Sequence, residues 1–212
     1  MSVCDTLCMT SNSPEQIVTL RIELVETDPL IWREVEVPTA ITLKALHAVV
    51  QAAVGWFDQH LWELRRGPQR YGQPMPGDDW GGPATIRADK VHLGEVIGSG
   101  KTVLEYTYDF GDSWEHRLIF SNVRAGETGT AYPRYVAGER AAPPEDCGGL
   151  PGFYYALDVL ADPNHPEYED IAEWYDGYDP DDFDDLPLKF AVGRIASRRR
   201  AGKVRKARPG AA

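Results

Sequence analysis

Val18, Leu20, Ile22 and Leu24 stand at every second position and alternate with Thr19, Arg21, Glu23 and Val25. No other feature constrains the fold as much. A period of two places the four apolar side chains on one face of a strand, and that face must be covered. Thr27-Asp28-Pro29 spells a turn, Ile31 to Val37 reads as a second strand, and Pro38 ends it. The two strands are expected to form a hairpin, which needs a second layer to bury its apolar face.

That layer follows in the chain. Thr42 is placed to cap a helix from Leu43 to about Val54, with Leu43, Leu46, Val49, Val50 and Ala53 on one stripe and Gly55 as its stop. Leu61 to Arg65 reads as a third strand. The order strand, strand, helix, strand is that of a β-grasp start. The expected class is therefore α+β, a mostly antiparallel sheet with helices packed on one face, β-grasp-like in its N-terminal half. Gly67 to Pro83 reads as a long loop and His92 to Ile97 as a short helix. Val103 to Phe110 and Trp114 to Phe120 read as strands, and Gly152 to Leu160, Glu167 to Tyr175 and Leu186 to Ile195 as helices.

Three cysteines, Cys4, Cys8 and Cys147, argue against a disulfide framework and for a reducing, cytoplasmic setting. No run of apolar residues is long enough for a membrane span, and residues 1–15 read as a flexible leader without a signal-peptide pattern. Charge is unevenly spread. Nine of the 22 Lys and Arg follow Leu188 while all 33 Asp and Glu precede Lys189, so residues 1–188 carry a net charge of −20. A body of that charge repels nucleic acid. The segment 196–212, with Arg198, Arg199, Arg200, Lys203 and Arg205, reads as a disordered basic tail that could attract it, or fold back on the acidic run 162–185. Residues 16–195 are expected to form a single domain.

Chemistry concentrates in two segments. The first is Tyr106 to His116, YTYDFGDSWEH. A three-residue loop, Gly111 to Ser113, would pair Phe110 with Trp114 and Tyr108 with His116, setting apolar against apolar. Asp109 would then share the wet face with Glu105, Glu115 and Arg117, and Asp112 would sit at the tip. The second is PPEDCGG, Pro143 to Gly149, where Cys147 would be a nucleophile if its thiolate were stabilised. Asp109, Asp112, Trp114, His116, Glu145, Asp146 and Cys147 are the candidate ligand-binding residues. His60, Asp112 and His116 are the candidate ligands of a divalent metal ion.

Ile31-Trp32-Arg33, the helix and His60-Leu61 segment, YDFGDSWEH at 108–116, PPEDCGG at 143–149, Trp174 and Phe183-Asp184 together resemble the Ri-plasmid ORF-three-like family, some of whose members are labelled as insertion-element passenger proteins. The resemblance implies an α+β domain in a plasmid or mobile-element setting and carries no established reaction. Two irregular loops dense in charged and aromatic residues, without a complete catalytic constellation, point to a non-enzymatic binding or accessory module for a protein or small ligand. The alternative is a metal-dependent hydrolase or nuclease using the carboxylates of 109–116 and 145–146 with His60 and His116. That alternative requires at least three of these side chains to meet at one point. This chain has Ala142 and Trp62 where the family often has Cys and a second His.

Overall fold

The computed structural model describes residues 14–74 and 83–207. Cys4, Cys8 and most of the expected leader lie outside the described residues. Along the chain run β1 (Gln16–Leu24), β2 (Trp32–Pro38), α1 (Leu43–Val54), β3 (Trp62–Arg66), β4 (Gln69–Gly72), β5 (Ile86–Arg87) and α2 (Leu93–Val96). Then come β6 (Thr102–Tyr108), β7 (Trp114–Ala125), β8 (Arg134–Glu139), α3 (Gly149–Leu160), α4 (Tyr168–Tyr175) and α5 (Leu186–Ala207).

The strands form one sheet in the order β5-β4-β3-β6-β7-β1-β2-β8, antiparallel except for the β4–β5 pair. The alternation that opened the argument is realised as expected: Val18 lies opposite Val37 and Leu20 opposite Val35. Each of the four residues is 3% exposed or less. The other face carries charge pairs, with Glu23 taking Arg21 and Arg117, and Glu36 taking Arg124 and Arg134. One apolar and one ionic face are what an antiparallel sheet covered on one side requires. The strand, strand, helix, strand order of a β-grasp is present, but β3 pairs with β6 and is separated from β1 by β6 and β7.

α1 covers the apolar face. Thr42 Oγ1 accepts from Ala45 N at 3.2 Å, and Gly55 closes the helix with φ 99°. Arg33, opposite Ile22 on the buried face, turns its guanidinium to the carbonyl end of α1: Nε donates to Ala53 O at 3.2 Å and Nη1 to Glu139 O at 2.9 Å. The negative end of the helix dipole and the ring of Phe183, 4.2 Å away, stand in for a carboxylate partner. Burial pulls the Arg33 pKa down to about 10, which leaves it charged at neutral pH.

Three expectations change. Gly67 to Pro83 is not a uniform loop: Gly67, at φ 55°, turns β3 into β4, and Leu64 then meets Tyr71 across the ladder. β8 was not read at all. The last helix does not stop at Ile195 but continues to Ala207, through most of the segment expected to be disordered. Leu188, Val192 and Ala196 anchor it, and Arg199 and Lys203 continue the same stripe to pair with Glu15. Arg, Lys and Ala are strong helix formers, so an anchored helix propagates through them.

Candidate functional site

α1 ends at Gly55, and the chain leaves it as Trp56-Phe57-Asp58-Gln59-His60. Trp56 stays buried and donates Nε1 to Pro143 O at 2.8 Å, which ties this loop to the 143–149 segment. Tyr108, at the end of β6, fixes its far end. The hydroxyl accepts from Gln59 N at 2.9 Å and His60 N at 3.3 Å and donates to Glu145 Oε1 at 2.5 Å. Glu145 Oε2 in turn accepts from Phe57 N at 2.7 Å. Burial, and then the bond to Glu145, push the Tyr108 hydroxyl well above its ordinary value, so it remains a donor.

The β6–β7 turn differs from the expected one. Tyr108 pairs with Trp114, Tyr106 with His116 and Leu104 with Leu118, two residues out of the predicted register. The faces are unchanged because the shift is even. Asp109 and Ser113 both take positive φ, 55° and 54°, and Ser113 N donates to Asp109 O at 2.6 Å. Phe110 therefore leaves the ladder and stands 51% exposed. Asp109 is not on the wet strand face: its N donates to Leu61 O at 2.8 Å, and its Oδ2 lies 3.6 Å from His60 Nδ1.

The 143–149 segment docks on this turn through glycine. Gly148 N donates to Asp112 Oδ2 at 3.2 Å. A Cβ on Gly149, at φ 67°, would stand 2.4 Å from Asp112 O, and one on Gly152 would stand 2.0 Å from Cys147 O. With the loop seated, Asp146 reaches the imidazole from the other side, its Oδ1 3.1 Å from His60 Nε2. That contact is not a hydrogen bond in direction, and among the described residues His60 Nε2 is buried without a partner. One ligand atom each of His60, Asp109 and Asp146 falls within 4.8 Å of the others. An imidazole and two carboxylates at that spacing are a donor set for a divalent cation.

The expected metal set was His60, Asp112 and His116, and of these the cluster contains only His60. Asp112 instead holds Gly148 N. His116 lies in the core, 2% exposed, because the even register puts it on the apolar face. Its Nδ1–H donates to Trp114 O at 3.1 Å. Trp114 is buried against Trp56, ring centres 5.5 Å apart. Cys147 is held up at about 11 by burial, so the nucleophile expected there is a protonated thiol at neutral pH.

The pattern of α1 carried a signal that sequence reasoning passed over. His47 and Gln51 sit one turn apart inside the apolar stripe, and both bind Tyr106 Oη, at 2.9 Å each. The second nitrogen of His47 lies 2.7 Å from Asp58 Oδ1, and its ring stacks on Trp62 at 4.1 Å. Both nitrogens are engaged, and burial lowers the His47 pKa, so the ring is a neutral strut.

Two predictions arise here. Tyr108→Phe removes the hydroxyl that pins the 57–60 loop, the backbone N of His60 included, while leaving all three ligand side chains in place, and should weaken divalent-cation binding about 10-fold by isothermal titration. The second concerns acid. Burial holds His116 down at about 4 against an ordinary 6.5. On unfolding the ring regains its ordinary affinity for protons, so acid favours the unfolded chain. Stability is unaffected above about pH 6.5 and falls from there toward pH 4. From pH 7 to 5 the loss from this residue is about 2 kcal/mol. Urea unfolding at both pH values should show His116→Phe losing less than the wild type by that amount.

The family model of the plasmid pRiA4b ORF-3-like protein matches residues 16–186. The uncharacterized protein y4hQ of Sinorhizobium fredii (strain NBRC 101917 / NGR234) is 35% identical over 187 residues, 82% of this chain and 94% of that protein. The crystal structure of the protein of unknown function MM3350 from Methanosarcina mazei Go1 superposes with a TM-score of 0.73 at 34% identity, covering 81% of this chain and 97% of that one.

Proposed function

We infer the function from one premise: the chain belongs to the plasmid pRiA4b ORF-3-like family. We propose that it is a divalent-cation-dependent binding module, an accessory protein of a plasmid or mobile-element setting. His60, Asp109 and Asp146 hold the ion, and the ligand enters beside them. The convergence of these three side chains carries the proposal. The Nε2 of His60, buried and without a hydrogen-bond partner among the described residues although Asp146 Oδ1 lies 3.1 Å away, supports it. Leu61 and Phe110, 44% and 51% exposed, line one hollow with His60 and give it an apolar side that suits a ligand.

The hydrolase reading comes second. Three protein ligands with open positions are the arrangement that activates water. A separate general base is harder to find. Both oxygens of Glu145 and both nitrogens of His47 are committed to hydrogen bonds, which favours binding over turnover. Nucleic acid is a further proposed partner, through the exposed Arg198 and Arg200 of α5. Arg199 and Lys203 support this less, since both pair with Glu15. A cytoplasmic setting belongs to the same proposal, supported by Cys147 standing as a free thiol. Among the described residues no helix is long and apolar enough to cross a membrane.

Elemental analysis of protein purified without chelator or affinity metal, then incubated with manganese or zinc and desalted, tests the proposal. About one ion per chain is expected. Protein that retains no ion in either case removes its basis.

A further inference from the structure

The three residues of the cluster come from two parts of the fold. His60 precedes β3 and Asp109 follows β6, and Asp109 N ties the two stretches together by donating to Leu61 O at 2.8 Å. Asp146 comes from a strap outside the sheet, anchored at both ends. At one end Ala141 N donates to Pro180 O at 2.9 Å, and Ala141 O accepts from Tyr178 Oη at 3.1 Å. At the other, Phe153 and Ala156 of α3 are buried in the core. Between these anchors the strap is held by separate bonds, each with a side chain at one end or both. Pro143 O accepts from Trp56 Nε1, Glu145 accepts from Tyr108 Oη and Phe57 N, and Gly148 N donates to Asp112 Oδ2. Among the described residues no backbone ladder joins the strap to the sheet. Asp146, Gly148 and Gly149 take positive φ, 61°, 86° and 67°, a conformation that costs Asp146 more than a glycine. Seated, the strap brings the Asp146 carboxylate to one side of His60 while Asp109 holds the other. Two carboxylates repel across that gap, and a divalent cation between them attracts both.

We propose that the cation operates this strap: it binds the seated form alone, and its binding keeps residues 142–152 closed over the 57–60 loop and the β6–β7 turn. The strap opens locally, between its anchors, while the sheet and the body of α3 stay folded. A ligand that binds only the seated form reduces the open population by the factor 1 + [ion]/Kd, so at one hundred times Kd opening falls about 100-fold. This regulation rests on the cation-binding reading above, and its test separates the two.

Amide hydrogen exchange of the full chain, followed by NMR with and without zinc, reads the opening directly, and calorimetry gives zinc affinity separately. Zinc is diamagnetic and leaves the signals sharp. The amides of Phe57 and Gly148 report on the strap, because both donate across it. The amide of Leu20, at 0% exposure in the middle of β1, reports on unfolding of the whole chain. Without zinc, Phe57 and Gly148 should exchange at least about 10-fold faster than Leu20. At one hundred times Kd of zinc, both should slow about 100-fold. Asp146→Asn at the same zinc concentration should slow by no more than about twofold, as expected when affinity falls about 100-fold. Strap amides as slow as Leu20 without zinc would show that no local opening exists and overturn the proposal. Zinc that binds and leaves Phe57 and Gly148 unchanged overturns it and leaves the cation site standing. No zinc binding, or full slowing in Asp146→Asn, overturns both.

Discussion

Gly149→Ala is expected to lower the melting temperature by roughly 6–12 °C and to abolish divalent-cation binding, although residue 149 ligates nothing. Two costs combine. At φ 67° a side chain pays about 1 kcal/mol for the left-handed backbone. Its Cβ would also stand 2.4 Å from Asp112 O, a backbone atom that cannot turn aside. Relieving that overlap costs about 2 kcal/mol more. The cheaper escape is for the 143–149 segment to lift off the β6–β7 turn, breaking the bond from Gly148 N to Asp112 and withdrawing Asp146 from His60. Gly177→Ala is the control. It has φ 74° and open space around it, so it should lose only the first 1 kcal/mol or so and bind cations normally. Equal melting temperatures and equal binding for the two variants would show that the close approach at Gly149 does not matter.

The second large effect is at the cluster itself. His60→Ala and Asp146→Asn should each reduce manganese or zinc affinity by at least about 100-fold, because each removes one of three protein ligands. Their effects on folding should be small and of opposite tendency. Asp146 is exposed and faces Asp109 across His60, so neutralising it relieves repulsion in the ion-free protein. Thermal unfolding should place Asp146→Asn at or slightly above the wild type without metal and below it with saturating metal. Affinity unchanged in both variants would mean that the ion lies elsewhere or does not bind.

The apolar stripes were legible because burial writes them into the sequence at the period of each element: β1 against β2 in its register, and α1 with its cap and stop. The β6–β7 register was readable in its face and missed in its offset. Two non-glycine residues at positive φ build a longer turn than side-chain pairing alone suggests, and pairing statistics do not report backbone sign. Asp109 moved into the site for that reason, and the same even offset left His116 in the core. His60 and Asp146 were named as candidates singly, but their meeting depends on how closely Gly149 approaches Asp112, a distance no local pattern encodes. His47 and Gln51 were visible as polar intrusions in an apolar stripe and went unread. The basic segment after Ile195 was read by charge alone, where helix propensity and the anchor at Leu188, Val192 and Ala196 decided the outcome.

The most direct measurement is a crystal of the wild-type chain soaked in manganese and measured at the manganese absorption edge. An anomalous peak about 2–2.5 Å from a nitrogen of His60 and from carboxylate oxygens of Asp109 and Asp146 is the predicted result. A map with no peak at that point, from a crystal in which the 143–149 segment is seated on the β6–β7 turn, would contradict the account.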